Sequence, residues 1–377
     1  MARMTRIGVA GLRGIPGVMG GIEAHAQELY PRLKALRPAG DIAVAMRAPY
    51  VDRDAREWRG VSLLPLWAVR NKYLETIAHT LWAVAYLRFV RRCSAVHLHA
   101  IGPGLAVPLA RALGLRVLLT HHGRDYDRAK WSRPAKALLR FAEWVAVRHA
   151  HEVIVVSEDV TAALRRRFPG SAGRIHFVPN GASLTFARAS RDPDPAVLAG
   201  LGLEPGGYVL GVGRLVPEKG FDDLIDAHRA SGDGRKLVIA GRADHADAYA
   251  GRLLERAGPQ VVFAGFQPHE ALRSLYAGAS LFVLPSHHEG LPIAALEALA
   301  MDTPTLLSDI AANREIGLPA SHHFPVGSVD ALAAKLRLPP ETFAVDGAAV
   351  RERYDWDKIA AETAAIMDRL CGGAAAR

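Results

Sequence analysis

The chain has 377 residues, about half of them apolar. That is too long for one ordinary domain and suits two of roughly 150–200 residues, each with its own core. Its two cysteines, Cys93 and Cys371, lack CxxC-type neighbours, which argues against a disulfide framework or structural zinc and fits a reducing compartment. The net charge of +9 hides an asymmetry: residues 1–183 hold 28 Lys+Arg against 13 Asp+Glu, a net +15, and residues 184–377 hold 19 against 25, a net −6. A basic half suits an anionic partner such as a membrane surface, a phosphorylated substrate or nucleic acid. An Arg-rich composition by itself gives the same count.

The start, MARMTRIGVAGLRG, lacks a long apolar run, so no signal peptide is expected. RIGVA (6–10) reads as a buried strand, followed by a Gly-rich turn and an amphipathic helix from about Ile22 to Leu36. That turn, GLRGIPGVMGGIEAH, lacks GxGxxG spacing, and the next strand, DIAVAMRAP, ends near Arg47 instead of an acidic residue. A nicotinamide dehydrogenase is therefore disfavoured. Gly20 and Gly21, just before a helix, suit the close approach of an anion, and equally an ordinary tight turn. The longest apolar stretch, Thr76–Val90, is interrupted by His79 and Arg88. It falls short of the roughly 20 residues of a transmembrane helix, so a cytoplasmic protein is expected. Around it Arg70, Lys72, Arg88, Arg91 and Arg92 flank Tyr73, Trp82, Tyr86 and Phe89. Such a segment fits a membrane interface, or a core helix with an Arg-rich edge.

AVHLH (95–99), RVLLT (116–120) and EVIVV (152–156) read as further strands, with helices over 134–149 and 159–168. RVLLT runs into His121 and His122, at a strand's carboxyl end. Successive strand side chains face opposite ways, so the two are a poor metal pair; one imidazole can face a site while the other packs, and a strand-end histidine is more often structural. The segment FVPNGASLTFARASRDPDPAVL breaks the pattern and reads as a linker. Afterwards YVLGVG, KLVIAG, VVFAG, LFVLP and TPTLLS restart it. Short apolar runs alternating with helices mean βαβ units. The expected architecture is two doubly wound, parallel-sheet α/β domains, 1–183 and 184–354, with ligands at the strands' carboxyl ends and a cleft between the domains.

In the second domain, Arg214 and Lys219 lie between a strand and a helix. Two cations there can neutralise a diphosphate, although a solvated turn has the same composition. SHHEGLPIAALEALA, residues 286–300, follows a buried strand. Pro292 suits the first helical position. Glu289 is then a loop carboxylate and Glu297 a carboxylate in the second turn, with N–H groups of Gly290–Ala294 left to donate. Such a set fits hydroxyls, a phosphate and further hydroxyls in sequence.

These residues carry a resemblance. HHEGLPIAALEALA is similar to the E-x7-E motif of the family 4 glycosyltransferases, which have the GT-B fold of two facing Rossmann-like domains. GVGRLVPEKGFDDLIDA resembles that family's donor-phosphate segment, MGGIEAHAQEL its N-terminal glycine loop, and VPNGA its interdomain hinge. GIPG and THHGRDYDRAKW resemble bacterial members that build surface polysaccharides. The resemblance implies retaining, metal-independent transfer of a sugar from a nucleotide-sugar to a glycan or lipid-linked acceptor, with no cofactor and no nucleic acid partner. It implies catalytic roles for His122, Arg214, Lys219 and Glu289, with His121 a rival for His122. Donor binding falls to Gly20, Gly21, Gly290, Leu291, Pro292, Ile293 and Glu297, and to Gly265 and Phe266 beside the base. It also implies that the last helix, about 355–370, packs back on the first domain, and that the enzyme works in the cytoplasm or at the inner face of the cell membrane. The other readings are a different GT-B enzyme such as an epimerase, or a non-catalytic nucleotide-sugar-binding protein.

Overall fold

Runs such as RIGVA, AVHLH and LFVL have no polar face because their strands are covered on both sides, as parallel strands must be. In the computed structural model they build two units. One is made of residues up to Asn180 together with those from Trp356 on, and the other is Gly181–Asp355. The structure describes residues 6–69, 71, 74–128, 131–182, 192–243 and 248–372. Arg70, Lys72, Tyr73 and the middle of the expected linker, 183–191, lie outside them.

The first unit holds β1 (Arg6–Ala10), β2 (Asp41–Arg47), β3 (Glu57–Trp58), β4 (Val61–Leu66), β5 (Ala95–His99), β6 (Arg116–His121), β7 (Glu152–Val155) and β8 (Ile175–Phe177). Their order is β3-β4-β2-β1-β5-β6-β7-β8, parallel except for the β3–β4 pair. Helix α1 (Gly21–Leu36) and the last helix, Trp356–Gly372, cover one face, with Leu29, Tyr30, Leu33, Trp356, Ile359 and Met367 in its core. Helices α2 (Glu75–Phe89), α3 (Val107–Ala112), α4 (Arg133–His149) and α5 (Glu158–Arg167) cover the other, through Val84, Leu87, Val107, Ala146 and Leu164. Helix α5 starts where Ser157 Oγ accepts from the Val160 N–H, with Glu158 and Asp159 in the first turn.

The second unit has β9 (Tyr208–Val212), β10 (Lys236–Ala240), β11 (Val261–Gly265), β12 (Leu281–Leu284), β13 (Thr305–Ser308) and β14 (His323–Phe324). All pair in parallel, in the order β11-β10-β9-β12-β13-β14. This is the doubly wound order in which the strand sequence reverses between β9 and β12, and ligands sit in the crevice at the carboxyl ends there. Helix α6 (Phe221–Ser231) follows β9, α7 (His269–Gly278) precedes β12, and α8 (Ile293–Ala300) follows it.

The expected doubly wound parallel sheets are what forms. Four strands fall outside the predicted set: β3, β4, β8 and β14. Pro65 breaks the apolar run of β4, and β3, β8 and β14 are too short to make a pattern. One expectation is corrected. Pro292 is the N-cap of α8, with ψ 104° in the extended region, and Ile293 is the first helical residue.

Candidate active site

The loops after β9 and β12 are fastened to each other at the reversal point. The His287 N–H donates to the Glu218 carbonyl at 2.9 Å, and His287 Nε2 lies 2.6 Å from Asp223 Oδ2. That bond is the main reason His287 is pushed above the ordinary histidine range. Gly220 caps α6 with φ +64°, and a Cβ on it would stand 2.4 Å from the Pro285 carbonyl oxygen. Only glycine satisfies both the left-handed backbone and that approach.

This fastening brings Lys219 to Glu289, 70 residues apart in sequence. Lys219 Nζ donates to Glu289 Oε1 at 2.5 Å, and Ser286 Oγ donates to the same oxygen at 2.6 Å. Both members of the ion pair keep part of their surface exposed. Arg214 is half-buried at the end of β9, where Leu215 N–H donates to the Arg242 carbonyl at 3.1 Å.

Gly290 and Ile293 are half-buried and Leu291 is buried, all leading into α8. The Ala295 and Leu296 N–H groups donate to the Pro292 carbonyl at 3.1 and 3.2 Å. The N–H groups of Ile293 and Ala294 precede them and stand at the positive end of the helix. Glu297 is buried, and its Oε2 accepts from Tyr276 Oη at 3.1 Å. Burial, then the Glu297 charge, push the Tyr276 hydroxyl well above its usual range, so it stays a donor. At the end of β11, Gly265 has φ +67° and its carbonyl accepts from the Gly241 N–H at 2.7 Å. Phe266 follows, exposed, with the Arg242 guanidinium 5.3 Å from its ring centre. An aromatic face backed by a cation suits a planar ring.

In the first unit the glycine loop is held by Glu23. Its carboxylate accepts from the Arg13 backbone at 3.0 Å and pairs with the Arg13 side chain at 3.2 Å, while Arg13 Nη2 reaches the Met19 carbonyl at 2.7 Å. Gly20 has φ +146°, and a Cβ on it would displace the Glu23 carboxylate and the Arg13 guanidinium. Gly21 begins α1 in open space.

The two adjacent histidines part company. His121 is fully buried: its Nδ1 accepts from the Gly123 N–H at 3.3 Å, and Nε2 donates to Glu143 at 3.0 Å. Burial pushes the Glu143 carboxyl up, but His121, Arg167 and the Tyr126 hydroxyl outweigh it, and the group stays below its usual range. His122 turns the other way and is half-buried. It terminates a buried chain that the motif reading missed. Thr120 Oγ1 meets His97 Nε2 at 2.7 Å, His97 Nδ1 meets Tyr30 Oη at 2.9 Å, Tyr30 Oη contacts His99 Nε2, and His99 Nδ1 meets His122 Nε2 at 2.9 Å. His25, held by Asn180 Oδ1 at 3.0 Å, sets its ring edge-on to His122 at 4.9 Å. Burial lowers His25 to about 4 and His97 to about 3, and takes His99 and His122 well below their usual range, with neighbouring imidazoles adding to the effect in the last three. The cluster is neutral. HLH in AVHLHA was the available signal, since residues 97 and 99 share one face of a strand. Nitrogens of His25, His99 and His122 lie within 4.8 Å of one another. His99 already spends one ring nitrogen on Tyr30 and the other on His122, so an ion held by all three would displace one of those partners.

Two family models cover most of the chain: "Glycosyl transferase 4-like domain" over residues 20–181 and "Glycosyl transferases group 1" over residues 202–338. The chain is 29% identical to an alpha-maltose-1-phosphate synthase of Mycolicibacterium smegmatis, over 94% of this chain and 97% of that one. It is 30% identical to an alpha-D-kanosaminyltransferase of Streptomyces kanamyceticus, over 71% of this chain and 76% of the relative. A sucrose-phosphate synthase from Thermosynechococcus elongatus superposes with a TM-score of 0.83 at 22% identity, covering 98% of this chain and all of that one. With two doubly wound parallel sheets and both family models matched in order, the chain belongs to the family 4 glycosyltransferases of the GT-B fold and is a glycosyltransferase.

Proposed function

We propose that the enzyme transfers a sugar, with retention and without a metal, from a nucleotide-sugar to a glycan or lipid-linked acceptor in cell-surface polysaccharide assembly. The observation that carries the reading is the Lys219–Glu289 pair, 2.5 Å apart at the point where the strand order of the second unit reverses. There a cation and a carboxylate meet a diphosphate and a sugar side by side. Lys219 and Arg214 neutralise the departing diphosphate, the electrostatic help that a metal gives elsewhere. Glu289 and the N–H groups of Gly290–Ile293, around Leu291 and Pro292, hold donor hydroxyls and phosphate. Glu297 takes the ribose hydroxyls, and Gly265 and Phe266 border the base. Gly20 and Gly21 admit phosphate or acceptor, and His122 offers a neutral imidazole to a sugar hydroxyl. The bond from the anomeric carbon to the donor phosphate breaks as the acceptor oxygen bonds on the same face. The acceptor proton passes to the departing phosphate. Both relatives' names specify an α-configured product, which is what retention gives from an α-linked donor.

A second reading has a small soluble acceptor in place of a glycan or lipid-linked one. The relatives named for maltose-1-phosphate and kanosaminyl transfer favour it. The test is a screen of UDP-, GDP- and dTDP-sugars with the purified chain, with and without EDTA, followed by proton NMR. Slow, chelator-insensitive hydrolysis of one donor to the α-sugar is expected. Interconversion of the donor without release would make the protein an epimerase, and no turnover of any donor would make it a binding protein.

A further inference from the structure

Helices α2 and α4 each present an apolar stripe to solvent, away from the core they cover. On α4 the buried residues are Ala142, Glu143, Val145, Ala146 and Val147, whereas Leu138, Phe141 and Trp144 are exposed. Phe141 is 53% exposed and Trp144 41% exposed, and their rings stack at 6.0 Å. On α2 the outer side carries Leu81, Trp82 at 49% and Phe89 at 66% exposure. Helix α3 joins the two. Arg88 of α2 donates to the Leu113 carbonyl just after α3, at 2.7 Å, and Arg111 of α3 donates to the His149 carbonyl at the end of α4, at 2.9 Å. The three helices form one layer on one face of the sheet.

The charges on this layer are one-sided. Each of α2 and α4 contains a single carboxylate, Glu75 and Glu143, and both are buried. Glu75 is paired with Arg47 at 3.1 Å, and Glu143 with His121 and Arg167. On the outside stand Arg133, Arg140 and Arg148, the last 5.7 Å from the Trp144 ring centre. An open groove of about 540 Å³ lies beside Trp144, lined also by Arg148, Arg167 and Arg174. Aromatic and aliphatic side chains with arginines around them match a bilayer interface whose headgroups are anionic. A protein partner would leave those arginines to be answered by carboxylates. No described helix is long and apolar enough to cross a membrane, so the contact is with the surface.

We infer that the outer face of α2, α3 and α4 docks this protein on an anionic lipid bilayer, with Leu138, Phe141, Trp144, Trp82 and Phe89 entering the headgroup layer and Arg140 and Arg148 meeting lipid phosphates. The inference adds a partner to the transferase reading, and its test reads lipid binding alone. The full chain is sedimented with vesicles of pure phosphatidylcholine and of phosphatidylcholine with phosphatidylglycerol, at low and high salt. Retention on the anionic vesicles only is expected, weakened by salt. Phe141→Ser with Trp144→Ser lowers partitioning about tenfold or more. Arg140→Glu with Arg148→Glu abolishes the preference for phosphatidylglycerol. Both double variants keep wild-type donor hydrolysis and melting temperature. Failure of the wild type to sediment with anionic vesicles overturns the inference, as does wild-type binding by both variants. A wild-type dimer that the variants make monomeric in sedimentation velocity would assign the face to a second copy and also overturn it. Vesicle binding without turnover of any donor would remove the transferase reading and leave this one standing.

Discussion

Lys219 is the residue on which the site turns. It reaches Glu289 only because Gly220, in the left-handed conformation, lets the two loops touch. Replacing Lys219 with alanine removes one of the two cations proposed to meet the leaving diphosphate. It also leaves the Glu289 carboxylate with the Ser286 hydroxyl as its remaining named partner. A loss of about 100-fold or more in kcat is expected, since one electrostatic donor to a developing anion carries about that factor. Steady-state kinetics on the donor identified by the screen checks it, and unchanged kcat would remove Lys219 from the chemistry. His122 carries no charge, because burial and its imidazole neighbours keep it neutral.

At the scale of elements, the last helix holds the first unit together. Trp356 is fully buried, its ring 5.3 Å from His25, and Arg32 and Arg37 of α1 and its end reach Asp357 and the Ala364 carbonyl. Trp356→Ala leaves a large cavity and is expected to destabilise the first unit by about 3–5 kcal/mol. Urea unfolding followed by tryptophan fluorescence measures it. The sequence made much of this scale legible. β1, β10 and β12 announce themselves as buried apolar runs, and Arg214, Lys219, Glu289 and Glu297 fall where their motif spacing puts them, around the ends of β9 and β12. Other parts were not legible for physical reasons. Apolar period alone does not say which side of α4 is covered, because Ala142 and Ala146 on one side and Phe141 and Trp144 on the other are all apolar. The Thr120–His97–Tyr30–His99–His122 chain joins α1, β5 and β6, so no local window contains it.

For the whole molecule, the buried histidines set the response to acid. Burial is the main cause that lowers His25 and His79 to about 4 and His97 to about 3, against an ordinary value of about 6.5. Between those values the unfolded chain binds protons that the folded unit refuses. Stability is therefore complete above about pH 6.5 and is lost as pH falls toward 4. All these histidines are in the first unit, and so are all six tryptophans, Trp58, Trp67, Trp82, Trp131, Trp144 and Trp356. The tryptophan-detected melting temperature thus reports that unit, and it is expected to fall steeply from pH 7.5 to pH 5. A flat profile would mean that the imidazoles titrate normally. The division of the chain has one more consequence, for synthesis. The second unit is continuous in sequence, whereas the first needs residues from both sides of it. A growing chain has therefore delivered all of the second unit before Trp356 emerges. The core of the first unit therefore closes over His25 only after Trp356 has been made.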